Sequence, residues 1–261
     1  MSSGSWLRSR RATAAPFTRL IPLALLVFLL ALSARAQQPL LVFDSLSNAQ
    51  NDALPQSTPR TFIGQAFGIP GEGAPVAVTS MELVLRHASP SAVTYENIRV
   101  NVQFWDACTN ATTGAAPVFS SPCAGGVRSF DLGARTLAAS ASELVILNFA
   151  PPVVLRGDGS LGVTVHIQGD TGAGLRDTDD LTAGLRGGGV NVNTPEVGFL
   201  PTNPNRGGNT FYYRNASGGR DYNFRGADAR DLGDASDPAT GIGSALQMRL
   251  FAIPRTALRS L

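Results

Sequence analysis

The 261-residue chain contains no lysine, and its 21 basic residues are all arginine. It also holds only two histidines and two cysteines, and aromatic residues make up 7% of the total. These shortages exclude several function classes. Five of the arginines (Arg8, Arg10, Arg11, Arg19 and Arg35) precede residue 37, where no acidic residue lies. From Gln37 onward, sixteen Arg face 19 acidic residues and the formal charge is −3. A weakly acidic chain with scattered Arg lacks the basic face that nucleic acid requires. No G-x-S-x-G elbow, H-E-x-x-H pair or phosphate-binding Walker loop occurs, so the common nucleophile, zinc-protease and nucleotide motifs are missing. Of the histidines, His87 sits in the turn-like run Leu85-Arg86-His87-Ala88-Ser89-Pro90, and His166 takes a polar position in a strand pattern. Both read as solvated surface histidines, and no catalytic residue is assigned. The lack of Lys beside abundant Ala, Gly and Arg fits a GC-rich bacterial genome.

What the chain does have begins with an export pattern. The arginines before residue 20 form a positive n-region. Leu20–Leu32 is an apolar run of 13 residues interrupted only by Pro22, and Ala34-Arg35-Ala36 supplies small residues at −3 and −1 of a cleavage site. That order is a secretory signal peptide. The run falls short of the about 20 apolar residues a spanning helix needs. Residues 1–36 are therefore expected to be removed, leaving a secreted or extracytoplasmic protein with no transmembrane anchor. The residue directly after the cleavage site is Gln37 and not Cys, so lipid anchoring is not expected.

An oxidising compartment invites a disulfide from an even pair of cysteines. Cys108 and Cys123 are the expected pair, and the bridge would contribute about 3 kcal/mol in the chain-entropy view.

The rest reads as strands and turns. Ile98, Val100, Val102 and Phe104 alternate with Arg99, Asn101 and Gln103. Leu161, Val163, Val165 and Ile167 alternate with Gly162, Thr164 and His166. Period-2 alternation places one face in a core and the other in water. Met81, Leu83 and Leu85 repeat the pattern, as do Leu246, Met248 and Leu250. Leu144–Phe149 is apolar at nearly every position, as in a strand buried on both faces. Leu40–Phe43, Thr61–Phe67 and Thr210–Tyr213 are weaker strands. No useful helical stripe appears, and the 28 Gly and 17 Pro fall mostly between strands. The expectation is an all-β chain: one antiparallel β-sandwich of jelly-roll kind over residues 37–254, with a short tail at 255–261. Residues 169–243 are rich in Gly, Asn, Asp and Arg and read as long loops held by an aromatic cluster.

Two ligand chemistries follow from the loops. Asp177, Asp179 and Asp180 form one acidic group, and Asp228 and Asp231 belong to another. Asp side chains on turns supply the hard oxygens calcium takes, so these five are the candidate calcium ligands. Turn preference alone also explains them. Trp105, Tyr212, Tyr213 and Tyr222 are candidate stacking faces for sugar rings, and packing beneath the loops is the competing explanation. A glycosidase acid pair finds no motif among the five Glu.

The runs Leu41–Leu46, Ile98–Asp106, Leu161–Ile167, Glu196–Phe199 and Phe211–Arg214, in that order, resemble bacterial exported ectodomains of the choice-of-anchor and PEP-CTERM-associated type. The resemblance implies a jelly-roll β-sandwich with a surface or matrix role, and it supplies no catalytic residues. Arg255–Leu261 departs from that group, having no sorting motif, apolar span or basic tail. The expected function is therefore a secreted, non-catalytic binding or structural protein whose partner is a polysaccharide or an envelope or matrix protein. A calcium-supported carbohydrate-binding module and a hydrolase with unrecognised acidic residues stay open as alternatives.

Overall fold

Alternation decides the core. In the computed structural model, which describes residues 38–46, 62–70, 75–109, 118–123, 125–156, 161–178, 180–186, 197–198, 210–213, 229–231 and 245–254, the described elements are all strands, with no helix among them. In chain order they are β1 (Leu40–Asp44), β2 (Phe62–Phe67), β3 (Val76–His87), β4 (Val93–Tyr95), β5 (Asn97–Thr109), β6 (Val118–Pro122), β7 (Arg128–Asp131), β8 (Arg135–Leu137) and β9 (Ser142–Leu155). There follow β10 (Leu161–Asp170), β11 (Arg176–Asp177), β12 (Leu181–Ala183), β13 (Leu185–Arg186), β14 (Thr210–Tyr213), β15 (Ala229–Asp231), β16 (Ala245–Leu246) and β17 (Met248–Pro254). All their pairings are antiparallel. Among the described residues, no helix is long and apolar enough to cross a membrane.

Two sheets pack face to face. The first runs β1-β17-β3-β9, with β12 continuing along the β17 side of β3. The second runs β2-β10-β5-β7, extended by β14 and β15 beyond β2 and by β6 and β11 along shared edges. Taken in chain order, β1, β2, β3, β5, β7, β9, β10 and β17 alternate between the sheets except at the β5–β7 hairpin. That is the eight-stranded double-sheet connectivity of a jelly roll, and the fold is an antiparallel β-sandwich. One compact unit spans Pro39–Leu261.

The inward rows are those the alternation predicts: Ile98, Val100, Val102 and Phe104 from β5, Leu161, Val163, Val165 and Ile167 from β10, and Met81, Leu83 and Leu85 from β3. Phe104 meets Phe149 edge-on at 5.5 Å, and Phe149 meets Phe130 at 5.3 Å. Polar side chains also enter the core, Gln65 among them. Gln65 lies in register with Val163 on the inner face, and its Oε1 accepts the N–H of Leu246 at 2.5 Å. Ser45 Oγ donates to the Leu246 carbonyl, so both backbone groups of that residue are held by side chains, one from β2 and one from just past the end of β1.

β12 and β17 share one edge of β3, and they meet at Val84. Val84 N–H donates to Gln247 O (3.1 Å), Gly184 N–H to Val84 O (2.7 Å) and Gln247 N–H to Gly184 O (2.9 Å). The three backbones close so tightly that a Cβ on Gly184 would lie 2.6 Å from Val84 Cγ1.

Three expectations need correction. Leu144–Phe149 is not buried on both faces: β9 is the edge of the first sheet, and Leu144 and Ile146 are 47% and 59% exposed. His87 is not in a turn. It ends β3, is buried, bonds the Ala138 carbonyl through Nδ1 (2.7 Å), and lies edge-on to Tyr95 at 6.0 Å. The Cys108–Cys123 disulfide is not found among the described residues, where Cys123 is a free buried thiol. Register explains this. Cys123 N–H bonds Phe104 O, while Cys108 lies four residues further along β5, opposite Phe119. At roughly 3.3 Å per residue that is about 13 Å, outside disulfide reach.

Candidate functional site

The side chains of β5 and β10 that point away from the core are polar, and the register stacks them. His166 pairs with Asn101, Thr164 with Gln103, and Gly162 with Trp105. Alternation predicts this face to be solvated. Instead every residue of β10 from Leu161 to Gly169 is buried, and His166 has no exposed surface. A buried polar group costs free energy unless it is hydrogen-bonded, and this row bonds along itself. Ser129 Oγ donates to Asn101 Oδ1 at 2.6 Å. Asn101 Nδ2 approaches His166 Nδ1 and Gln168 Oε1, each at 3.4 Å. His166 Nε2 and Gln168 Nε2 both reach Asp177 Oδ1, at 2.7 and 3.2 Å.

The donors fix the imidazole tautomer. Asn101 Oδ1 is taken by the serine hydroxyl, so its amide N–H faces His166 Nδ1, which accepts. The ring proton then sits on Nε2 and goes to Asp177. This chain of contacts is no nucleophile relay. The Ser129 hydroxyl gives its proton to an amide oxygen, which is not a base, and Asn101 stands between serine and imidazole. What the row does is join β5, β7, β10 and β11.

Trp105 belongs to the same row. It faces opposite to Phe104, as the alternation predicts, but it is only 3% exposed and its Nε1 donates to Thr164 Oγ1 at 3.3 Å. Of the two readings of Trp105, sugar stacking and packing, the structure shows a packed, hydrogen-bonded indole. Tyr212 and Tyr213 lie on β14, in register with Ile63 and Phe62, and Tyr222 lies outside the described residues. Asp177 is exposed on β11 and engaged by His166. Asp180 precedes β12, and its carbonyl accepts Ala88 N–H at 2.7 Å. Asp231 pairs with Phe211 on β15, while Asp179 and Asp228 lie outside the described residues. Among the described residues no group of three or more His, Cys, Asp or Glu is placed to hold a metal ion.

Two buried groups have shifted ionisation. Burial pushes the Tyr95 hydroxyl up to about 12, and the charge of Asp180 adds to it. Burial also pushes the Cys123 thiol far up, reinforced by its hydrogen bond to Asp106 Oδ1 (3.2 Å) and by that residue's charge. A thiol held protonated is a poor nucleophile and metal ligand.

The outer face of the first sheet has a different character. Its cross-strand row runs Ile146, Glu82, Arg249 and Asp44 on β9, β3, β17 and β1. Arg249 bridges two strands, giving Nε to Asp44 Oδ2 (3.1 Å) and Nη1 to Glu82 Oε2 (3.0 Å). One row away, Leu144 lies opposite half-buried Val84. An exposed antiparallel face should carry polar side chains at these positions. Leu144 and Ile146 break that rule side by side, next to an ion-paired ladder. Nothing in the strand alternation separates this pair from core residues, so the sequence reading missed it. The signal available was the run itself: six consecutive apolar or amide residues leave two or three apolar side chains with no inner face to occupy. Comparison with protein-family models, with curated proteins and with solved structures finds no match to this chain.

Proposed function

We propose that the chain is an exported, non-catalytic β-sandwich that works by binding another macromolecule outside the cytoplasm, as an envelope or matrix component. The observation that carries this reading is the exposed Leu144–Ile146 pair on the outer face of the first sheet. Large apolar side chains grouped beside a polar, ion-paired row have the make-up of a protein contact surface. The export pattern of residues 1–36 and the resemblance to exported ectodomains support the location. The carbohydrate-binding alternative loses Trp105, which is packed against Thr164, and keeps only the tyrosines.

The test uses purified residues 37–261 and a variant carrying Leu144→Ser and Ile146→Ser. Both are presented to immobilised envelope and matrix protein fractions, and to a polysaccharide array with calcium and then with chelator. Protein binding that the double variant loses at unchanged fold supports the proposal. Polysaccharide binding that the variant retains would overturn it in favour of a lectin-like module.

A further inference from the structure

We propose that β9 is a self-association edge, and that two copies of the chain pair antiparallel about a twofold axis at Val145, continuing the first sheet from one copy into the other. This rests on the contact surface proposed above and names its partner. The argument starts from the backbone. His87 N–H donates to Ala141 O at 2.8 Å. Antiparallel pairs alternate between hydrogen-bonded and non-hydrogen-bonded, so Arg86–Ser142, Val84–Leu144, Glu82–Ile146 and Ser80–Asn148 are the non-hydrogen-bonded pairs of the β3–β9 register. Val84 independently bears this out, since its N–H and C=O go to Gln247 and Gly184 on its other side. Ser142, Leu144, Ile146 and Asn148 therefore turn both backbone groups away from β3, and among the described residues no strand pairs with that edge.

The side chains at those four positions are self-complementary. About an axis at Val145, Leu144 faces Ile146 of the other copy and Ser142 faces Asn148, each twice. Apolar meets apolar and polar meets polar, and all four outward residues fall in hydrogen-bonded pairs. No charge opposes its like. The only ionisable residue of the segment, Glu143, is bonded by Arg135 of its own chain and would lie opposite Leu147. Edges are usually guarded by lysine, proline or an inward charge; residues 142–149 carry no Lys and no Pro, and their one inward-side charge, Glu143, is paired with Arg135 of its own chain. Closed twofold pairing is the commonest way a like surface meets its like. An edge of eight residues covers less than the roughly 800 Å² a side of a standard interface, so association is expected in the micromolar range rather than tighter.

Sedimentation of residues 37–261 should show the average mass rising from one chain towards two between about 1 and 100 μM. Leu144→Lys with Ile146→Lys places ammonium against ammonium across the axis and should hold the chain monomeric over that range. Both positions are exposed, so circular dichroism should not change. A register test is independent of affinity. Paired Cα atoms about 5.5 Å apart suit a disulfide, so a mixture of the Leu144→Cys and Ile146→Cys variants should give a crosslinked dimer on mild oxidation, with the 144–146 linkage found by peptide mass. Either variant alone should not. A chain that stays monomeric and a mixture that does not crosslink would overturn the inference. Loss of protein-fraction binding in the serine double variant would, in that case, still stand for the broader reading.

Discussion

Replacing Arg249 by Met tests whether the ladder across the first sheet holds it together. The Arg249 side chain is 30% exposed, against 18% for Glu82 and 4% for Asp44. Burial alone would pull its ionisation down, but the hydrogen bonds to Glu82 and Asp44, and their charges, carry it up. Met keeps the apolar stem and removes the cation, which leaves two carboxylates facing each other across β17. Removing one partner of a fully buried pair costs about 3–5 kcal/mol, while an exposed pair is worth about 0–1 kcal/mol. With the cation partly wet and Asp44 dry, the expected loss lies between, about 2 kcal/mol. For a domain of this size that lowers Tm by roughly 4–8 °C. Urea unfolding of both proteins gives the difference directly. Adding Asp44→Asn should recover about half of it, because the amide oxygen can still accept Leu46 N–H, which now bonds Asp44 Oδ1 at 2.8 Å. A loss below about 0.5 kcal/mol for Arg249→Met would refute the reasoning, since it would place Asp44 in effective contact with water.

Gly184→Ala should destabilise by about 1–3 kcal/mol, since its Cβ would fall 2.5 Å from Gln247 Oε1 and 2.6 Å from Val84 Cγ1; the urea midpoint reads this, and Val84→Ala should restore part of it. Asp131 accepts Arg99 Nε (2.7 Å) and Nη2 (3.0 Å) together with Asn97 Nδ2 (2.8 Å), and its carboxyl is held below the usual range by the Arg99 bond and then by Asn97. A carboxyl depressed in the folded state adds stability above its ordinary value and loses it as pH falls through the folded one. The Asp131→Asn variant should therefore trail the native chain by about 0.5 kcal/mol at pH 6, Asp131 being half exposed, and the gap should narrow as acid protonates the carboxyl; a gap that does not narrow with falling pH contradicts the assignment. Cys123 should resist iodoacetamide in the native protein and react after unfolding without reductant; a need for reductant would mean that it is bridged.

Strand alternation carried most of the fold. The inward rows of β3, β5 and β10 were legible because an apolar residue at every second position has one arrangement that buries it. Period alone does not tell what lies beyond the opposite face. Asn101, Thr164 and His166 were read as solvated because polar side chains usually are, yet in the structure they are buried and bond one another. The reverse error occurred at Leu144 and Ile146, where apolar outer residues implied a cover that an edge strand does not have. The Cys108–Cys123 expectation failed for a related reason: an even pair specifies that a bridge is possible, and only register says whether the two Cα atoms meet. His87 was placed in a turn on the strength of the nearby Pro90, although β3 runs on to His87, where Leu181 of β12 pairs with it.

The two outer faces therefore make opposite use of their residues, and that difference bears on where a partner can act. On the second sheet, the donors and acceptors of Ser129, Asn101, His166, Gln168 and Asp177 meet each other at 2.6–3.4 Å. A polar ligand arriving there would have to break bonds already made in a buried setting, where each broken bond leaves an unsatisfied group. On the first sheet, Leu144 and Ile146 are 47% and 59% exposed and carry no polar side-chain group that contact would leave unsatisfied, and every square ångström of apolar surface they lose to a partner is favourable. Both carboxylates beside them are hydrogen-bonded by Arg249, which balances one of their two charges and draws both towards itself. Association through β9 thus costs the molecule less than association through the polar row. For that reason the substitutions that discriminate between models of this protein belong at positions 144 and 146 rather than at Trp105.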